Sequence, residues 1–160
     1  MADETRWLSA DEQHSWRALV IGTTLLMDQL DEELRTEFSL SLTEYEILVR
    51  LSERTDQSLR MAVLADSVRH SRSRVTHTVT RMEKAGLVAR STCLEDGRGV
   101  LCTMTEAGWE LLRRAAPVHV AGVRRHLVDL AATEDFAAVG RVMDAVADGL
   151  IEARPEMEIR

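Results

Sequence analysis

Apolar residues recur at helical spacing along most of this chain and give way to alternation in one short stretch. Trp16, Leu19, Leu26, Leu30, Leu34 and Phe38 share one face of a helix predicted over about Ala10 to Glu37, and Ser9 with Glu12 has the spacing of a capping box that would open it. A second box, Thr43 with Glu46, is read ahead of a helix running to about Arg54, with Leu42 and Ile47 as its hydrophobic staple. Thr55-Asp56-Gln57-Ser58 is turn chemistry and is expected to be a loop, after which Met61, Leu64, Ala65 and Val68 predict a helix of about eight residues.

Ser71 can cap the following helix, which extends to Lys84. Val75, Val79 and Met82 give it an apolar stripe, and Ser73, His77, Thr80 and Lys84 give it an opposite polar one. One face can bury while the other meets a partner. Gly86 stands where a left-handed C-terminal cap is needed, and Leu87 to Cys93 alternates as a strand. Glu95-Asp96-Gly97-Arg98-Gly99 is turn chemistry and Val100 to Met104 is the returning strand, so the pair predicts a β-hairpin. Helix, turn, basic helix and hairpin in this order are the layout of a winged DNA-binding module, so the expected fold class is mainly α with a small β-hairpin wing.

Thr105 is placed to cap a helix through Leu111, Leu112, Leu127 and Leu130 that Pro117 is expected to kink or restart. Thr133-Glu134-Asp135 is read as the cap of a last helix bearing Phe136, Val139, Val142, Met143, Val146 and Leu150. The terminal helices carry more apolar surface than a small central module can cover. They are expected to pack together and against a second copy of the chain, a self-contained helical bundle being the alternative. The whole is read as one domain over 9–152, with the winged module at 41–105 and dimerisation helices at 9–38 and 106–152.

Charge singles out the same centre. Residues 60–100 carry eight basic and four acidic groups, whereas residues 1–59 carry five and thirteen and residues 101–160 seven and ten, for a net charge of −7. Attraction to nucleic acid depends on local Lys and Arg density, so an acidic chain with one basic segment is compatible with DNA binding. Nineteen of the twenty basic residues are Arg, which with the abundant Ala and Val suggests a GC-rich bacterial genome. The two cysteines, the lack of a long apolar run and the lack of a leader pattern point to a cytoplasmic protein with no membrane partner. His14, His70, His77, His119 and His126 have no ligand spacing, and no phosphate loop, nucleophile elbow or carboxylate array is visible, so no metal, cofactor or enzymatic activity is expected. If the hairpin turn centres between Gly97 and Arg98, Cys93 and Cys102 face one another across the ladder, which makes a redox pair one reading and two inert apolar residues the other.

Four runs together carry a resemblance to a known family: Leu42-Thr43-Glu44-Tyr45-Glu46-Ile47-Leu48; Ser71-Arg72-Ser73 continuing to Arg81-Met82-Glu83-Lys84-Ala85-Gly86-Leu87-Val88; Asp96-Gly97-Arg98; and Met104-Thr105-Glu106-Ala107-Gly108. In their order and spacing the chain resembles the MarR family, winged-helix transcriptional regulators of bacteria, over roughly residues 9–152. The resemblance implies a homodimeric repressor of a palindromic double-stranded operator, released by a small phenolic or lipophilic effector or, in some members, by cysteine oxidation. It places Arg72, Ser73, Arg74, Thr76, His77 and Thr80 near base edges or phosphates, with Arg90 assisting. It puts Arg98 in the minor groove or on phosphate and has Asp96 hold the wing. Family geometry and helix faces together suggest an effector cleft lined by Trp16, Val20, Met27, Met61, Leu64 and Arg81, suited to a small aromatic anion. A DNA binder without ligand response and a winged-helix protein-interaction module remain the alternatives.

Overall fold

The computed structural model describes residues 5–93 and 99–152. Helix α1 (Ala10–Phe38) opens on the Ser9–Glu12 box: the Glu12 N–H donates to the Ser9 hydroxyl at 3.2 Å and the Ser9 N–H donates to the Glu12 carboxylate at 2.7 Å. Both are donors that a helix start otherwise leaves without partners. Helix α2 (Leu42–Ser52) corrects the reading of its own start, because its cap is Ser41 paired with Glu44 and not Thr43 paired with Glu46. Asp31 of α1 supplies the reason: its carboxylate accepts the Leu42 N–H at 2.8 Å and draws Leu42 into the first turn. The staple positions therefore shift to Leu40 and Tyr45, and both are buried.

The expected loop also ends early. Ser58–Arg60 forms strand β1, which runs directly into α3 (Met61–Ser67). After α4 (Arg72–Lys84) come β2 (Val88–Thr92) and β3 (Val100–Met104), and the sheet has the order β1-β3-β2 with both pairings antiparallel. The wing is thus a three-stranded sheet rather than an isolated hairpin, with β1 tied on by Leu59 opposite Cys102 and by a 2.7 Å contact between the Ser58 and Thr103 hydroxyls. A hairpin alone is marginal in water, and the third strand supplies the missing support.

Helix α5 (Glu106–His126) is capped by Thr105, whose hydroxyl accepts the Gly108 N–H at 3.1 Å. Pro117 neither restarts nor divides it; the helix runs through, the Arg113 carbonyl forgoing the N–H that a proline lacks. A 3₁₀ turn (Val128–Leu130) leads to α6 (Thr133–Glu152), where Ala132 takes the capping position, its carbonyl accepting the Phe136 N–H at 3.0 Å, so that Thr133 lies inside the helix. The second half of α1 packs on α5, while α2, α3, α4 and the sheet enclose a core of Leu34, Ile47, Leu48, Leu64, Val75 and Val79.

Gly108 sets how closely α5 approaches the sheet. A Cβ there would lie 2.2 Å from the Leu87 carbonyl oxygen, an atom of the backbone that cannot swing aside. Gly108→Ala is therefore expected to lower unfolding stability by about 1–3 kcal/mol, read from the midpoint of urea denaturation. A midpoint equal to that of the parent chain would mean the two elements are not held at this distance.

Candidate nucleic-acid interface

Helix α4 is divided sharply between a packed and an open face. Val75, Thr78, Val79 and Met82 are buried, whereas Arg72, Ser73, Arg74, Thr76 and His77 are exposed and Thr80 is half-buried. Ser71 caps the helix by accepting the Arg74 N–H at 3.3 Å, so the exposed basic residues stand at its N-terminal end, where the helix dipole is positive. Thr76 and Thr80 bond back to the helix: Thr76 Oγ1 donates to the Arg72 carbonyl and Thr80 Oγ1 to the Thr76 carbonyl, each at 2.8 Å. The open face thus gathers the candidate residues of the helix on one side of the molecule.

Two glutamates fix this helix to its neighbours. Glu44 caps α2 with one carboxylate oxygen and takes Arg81 Nη2 at 3.2 Å with the other. Glu83 holds the wing: its oxygens accept the Arg90 N–H at 3.0 Å, Arg90 Nε at 3.0 Å and Arg90 Nη2 at 2.6 Å. Those hydrogen bonds keep the Glu83 carboxyl below the usual carboxylate range. Arg90, expected to assist on DNA, joins β2 to the end of α4 through these bonds. No helix or strand spacing predicts this pair, because its members lie seven residues apart across a helix-to-strand junction.

Asp96 and Arg98, the expected wing residues, lie outside the described residues. Cys93 and Cys102 are both buried, and the register contradicts their pairing: Cys102 lies opposite Arg90, and the Cys93 N–H donates to the Gly99 carbonyl at 2.8 Å. The assumed register therefore does not hold, and the two thiols are out of step along the ladder. Burial pushes the Cys102 thiol up to about 12, which removes the thiolate that oxidation chemistry requires.

The expected effector lining is not assembled either. Trp16 and Val20 are exposed on the free half of α1, Leu64 is sealed in the core, and Met61 packs at the core's edge. Met27 and Arg81 do share a cleft between α1 and α4 of about 800 Å³, but Arg81 there faces its partner Glu44, and the α1 wall carries Asp28 and Glu32 beside an Asp31 paired with Arg35. A separate cavity, between α1, α2 and α5, contains Met27 but none of the other five.

Residues 40–100 match the model of the MarR family. The chain is 29% identical over 132 residues to the HTH-type transcriptional regulator PecS of Dickeya dadantii, spanning 78% of this chain and 80% of that protein. Among solved structures it is similar to AbsC, a MarR family transcriptional regulator from Streptomyces coelicolor, at 44% identity and a TM-score of 0.86 over 91% of this chain and 98% of that one. It is similar also to Sco3205 of the same organism, a MarR family regulator solved in complex with DNA, at 42% identity and a TM-score of 0.89 over 92% of each chain.

Acid should loosen the module in two stages. His70, at the turn before α4, is held below its ordinary value of 6.5 by burial and by the charge of Arg74, and His119 on α5 by burial. For a base with a depressed folded pKa the unfolded chain binds the proton first, so stability is complete above pH 6.5 and declines as the pH falls below it. Glu83, and Glu33 through its hydrogen bond from His126, are depressed below 4.5, so their contribution is lost only as the pH falls below that value. Melting temperature measured from pH 8 to 3 is expected to be level above 7 and to fall in these two steps, with the second smaller in Glu83→Gln. A single acid transition confined below pH 4.5 would contradict the histidine assignments.

Proposed function

The chain belongs to the MarR family of transcriptional regulators, and from that premise we propose that it is a homodimeric repressor that reads a palindromic operator and leaves it on binding a small molecule. The observation that carries the DNA reading is the split of α4, with four residues locked into the core and Arg72, Ser73, Arg74, Thr76 and His77 turned outward around a capped N-terminus. Such a helix enters a major groove end first, the arginines offering forked donors to guanine or phosphate and the hydroxyls and His77 serving shorter reach. Arg98 of the wing is assigned to backbone or minor groove on the family resemblance alone.

Dimerisation is supported by surface that one chain leaves uncovered. On α1, Trp16, Ile21 and Leu25 are 57%, 59% and 64% exposed, and α6 presents Val139, Val142, Val146 and Leu150 while standing largely clear of the rest of the chain. Large apolar side chains left this exposed along two helices of one chain mark an association site. A two-fold pair would set two α4 helices against half-sites about 34 Å apart, one turn of the duplex, and a ligand that prefers a different spacing would weaken the complex by its difference in affinity for the two states.

Selection from random duplexes is expected to return an inverted repeat, and Arg74→Ala to relax preference at a defined position of each half-site at a cost of about 1–3 kcal/mol. Arg98→Ala should weaken matched and scrambled duplexes by similar factors, because phosphate and minor-groove contacts carry little sequence information. Uniform losses for both variants would remove the division of labour. Deleting residues 133–160 is expected to give a monomeric or aggregating product by light scattering, and a clean folded dimer would displace the interface from α6.

A further inference from the structure

We propose that the cavity between α1, α2 and α5 receives a small lipophilic cation, a flat aromatic amine or amidine whose charge meets Glu46 and whose ring lies against Tyr45 and His119. The proposal rests on the reading of this protein as ligand-responsive and gives that response a place and a chemical class, the opposite in charge to the aromatic anion expected from the sequence. The cavity is about 500 Å³, within the range that holds small organic ligands, and Leu26, Leu30, Val49, Val123 and Leu127 give it an apolar body.

Its polar wall decides the sign of the ligand. Five titratable or charged groups besides Tyr45 face it: Glu46, Arg50, Glu53, Arg69 and His119. Arg50 and Glu53 are paired with each other at 3.2 Å, at the exposed rim. Arg69 is engaged as well. Burial holds the His119 imidazole below the usual histidine range, only partly opposed by the charge of Glu33, and so keeps it neutral near pH 7. That leaves Glu46, a half-buried carboxylate with no hydrogen-bond partner among the described residues, pushed up by burial and only weakly held down by Arg50 one turn away. A charge in that position is stabilised by a cation brought to it and opposed by a second anion.

The remaining polar surface favours the same partner. The Tyr45 and His119 rings stand 4.5 Å apart at an interplanar angle of 40°, forming an aromatic wall one residue away from Glu46 in the chain. An aromatic face beside a carboxylate is the combination that holds organic cations, the ring supplying its negative face and the carboxylate the counter-charge. Neither arginine of the cavity is left to play the corresponding part for a carboxylate ligand.

The test uses the full chain with three probes of matched shape: 2-naphthylmethylamine, 2-naphthylmethanol and 2-naphthoic acid. Calorimetry is expected to show the amine binding about tenfold or more tightly than the acid, with the alcohol between them, and to show Glu46→Gln losing about tenfold for the amine only. The same substitution should keep or raise the melting temperature, since it removes an unpaired half-buried charge, so a loss of binding cannot be ascribed to misfolding. Binding of the acid as tightly as the amine, full binding of the amine to Glu46→Gln, or binding of none of the three would overturn the proposal. Operator titrations separate it from the broader reading: an acid that binds and releases DNA would sink the cation class and leave ligand response standing, whereas a Glu46-dependent amine that leaves operator affinity unchanged would uphold the site and end its role in release.

Discussion

The orientation of α4 is fixed by burial, and most of what this molecule can do follows from that. Val75, Val79 and Met82 are almost wholly enclosed, each contributing roughly 1.5–3 kcal/mol relative to exposure. Successive residues of a helix are about 100° apart, so a rotation by one position would expose this stripe and bury Arg74 or Thr76 in its place. No arrangement that keeps the core keeps a different set of residues outside. The rest of the winged module, from the Asp31 contact that sets the start of α2 to the glycine that brings α5 against Leu87, reads as support for that one packing decision.

Polar ties then refine where the positive charge acts. A count along the chain credits the module with eight basic residues, but Arg81 is held by Glu44 and Arg90 by Glu83. Both belong to the C-terminal end of α4 or the strand beyond it. The uncommitted charge of the helix is thereby weighted toward Arg72 and Arg74, where the capped N-terminus adds its own partial positive charge, with Lys84 remaining at the other end. The acidic residues within the module therefore sharpen the basic surface instead of diluting it.

What the sequence disclosed was whatever depends on near neighbours. The Ser9 box, the cap at Ser71, the left-handed Gly86 and the inward stripe of α4 are decided within four residues, and each was legible. The start of α2 was misread because Asp31, eleven residues back, chooses between two competing caps. Strand β1 has three residues and a single buried side chain, too little to show alternation. The thiol pairing failed on a turn centre that no residue between Cys93 and Gly99 fixes, since several of them suit a turn. The expected cleft failed for a different reason: helix faces indicate which residues point inward, but not whether inward means a cavity, as at Met27, or solid core, as at Leu64. Exposure of the candidate reading residues on α4 was legible for the same reason that its buried stripe was.

The two outward threonine hydroxyls of α4, Thr76 and Thr80, carry a consequence for base recognition in the proposed complex. With their protons directed to the Arg72 and Thr76 carbonyls, Thr76 and Thr80 present oxygen lone pairs alone unless those bonds are broken. A lone-pair acceptor in the major groove matches the exocyclic amino group of adenine or cytosine and has nothing to offer guanine O6 or thymine O4. The guanidinium groups of Arg72 and Arg74 have the reverse requirement, being donors only. In the proposed complex the donor side chains Arg72 and Arg74 would stand toward the N-terminal end of the face and the acceptors Thr76 and Thr80 beyond them, so keto and amino bases would be met at different positions along the helix.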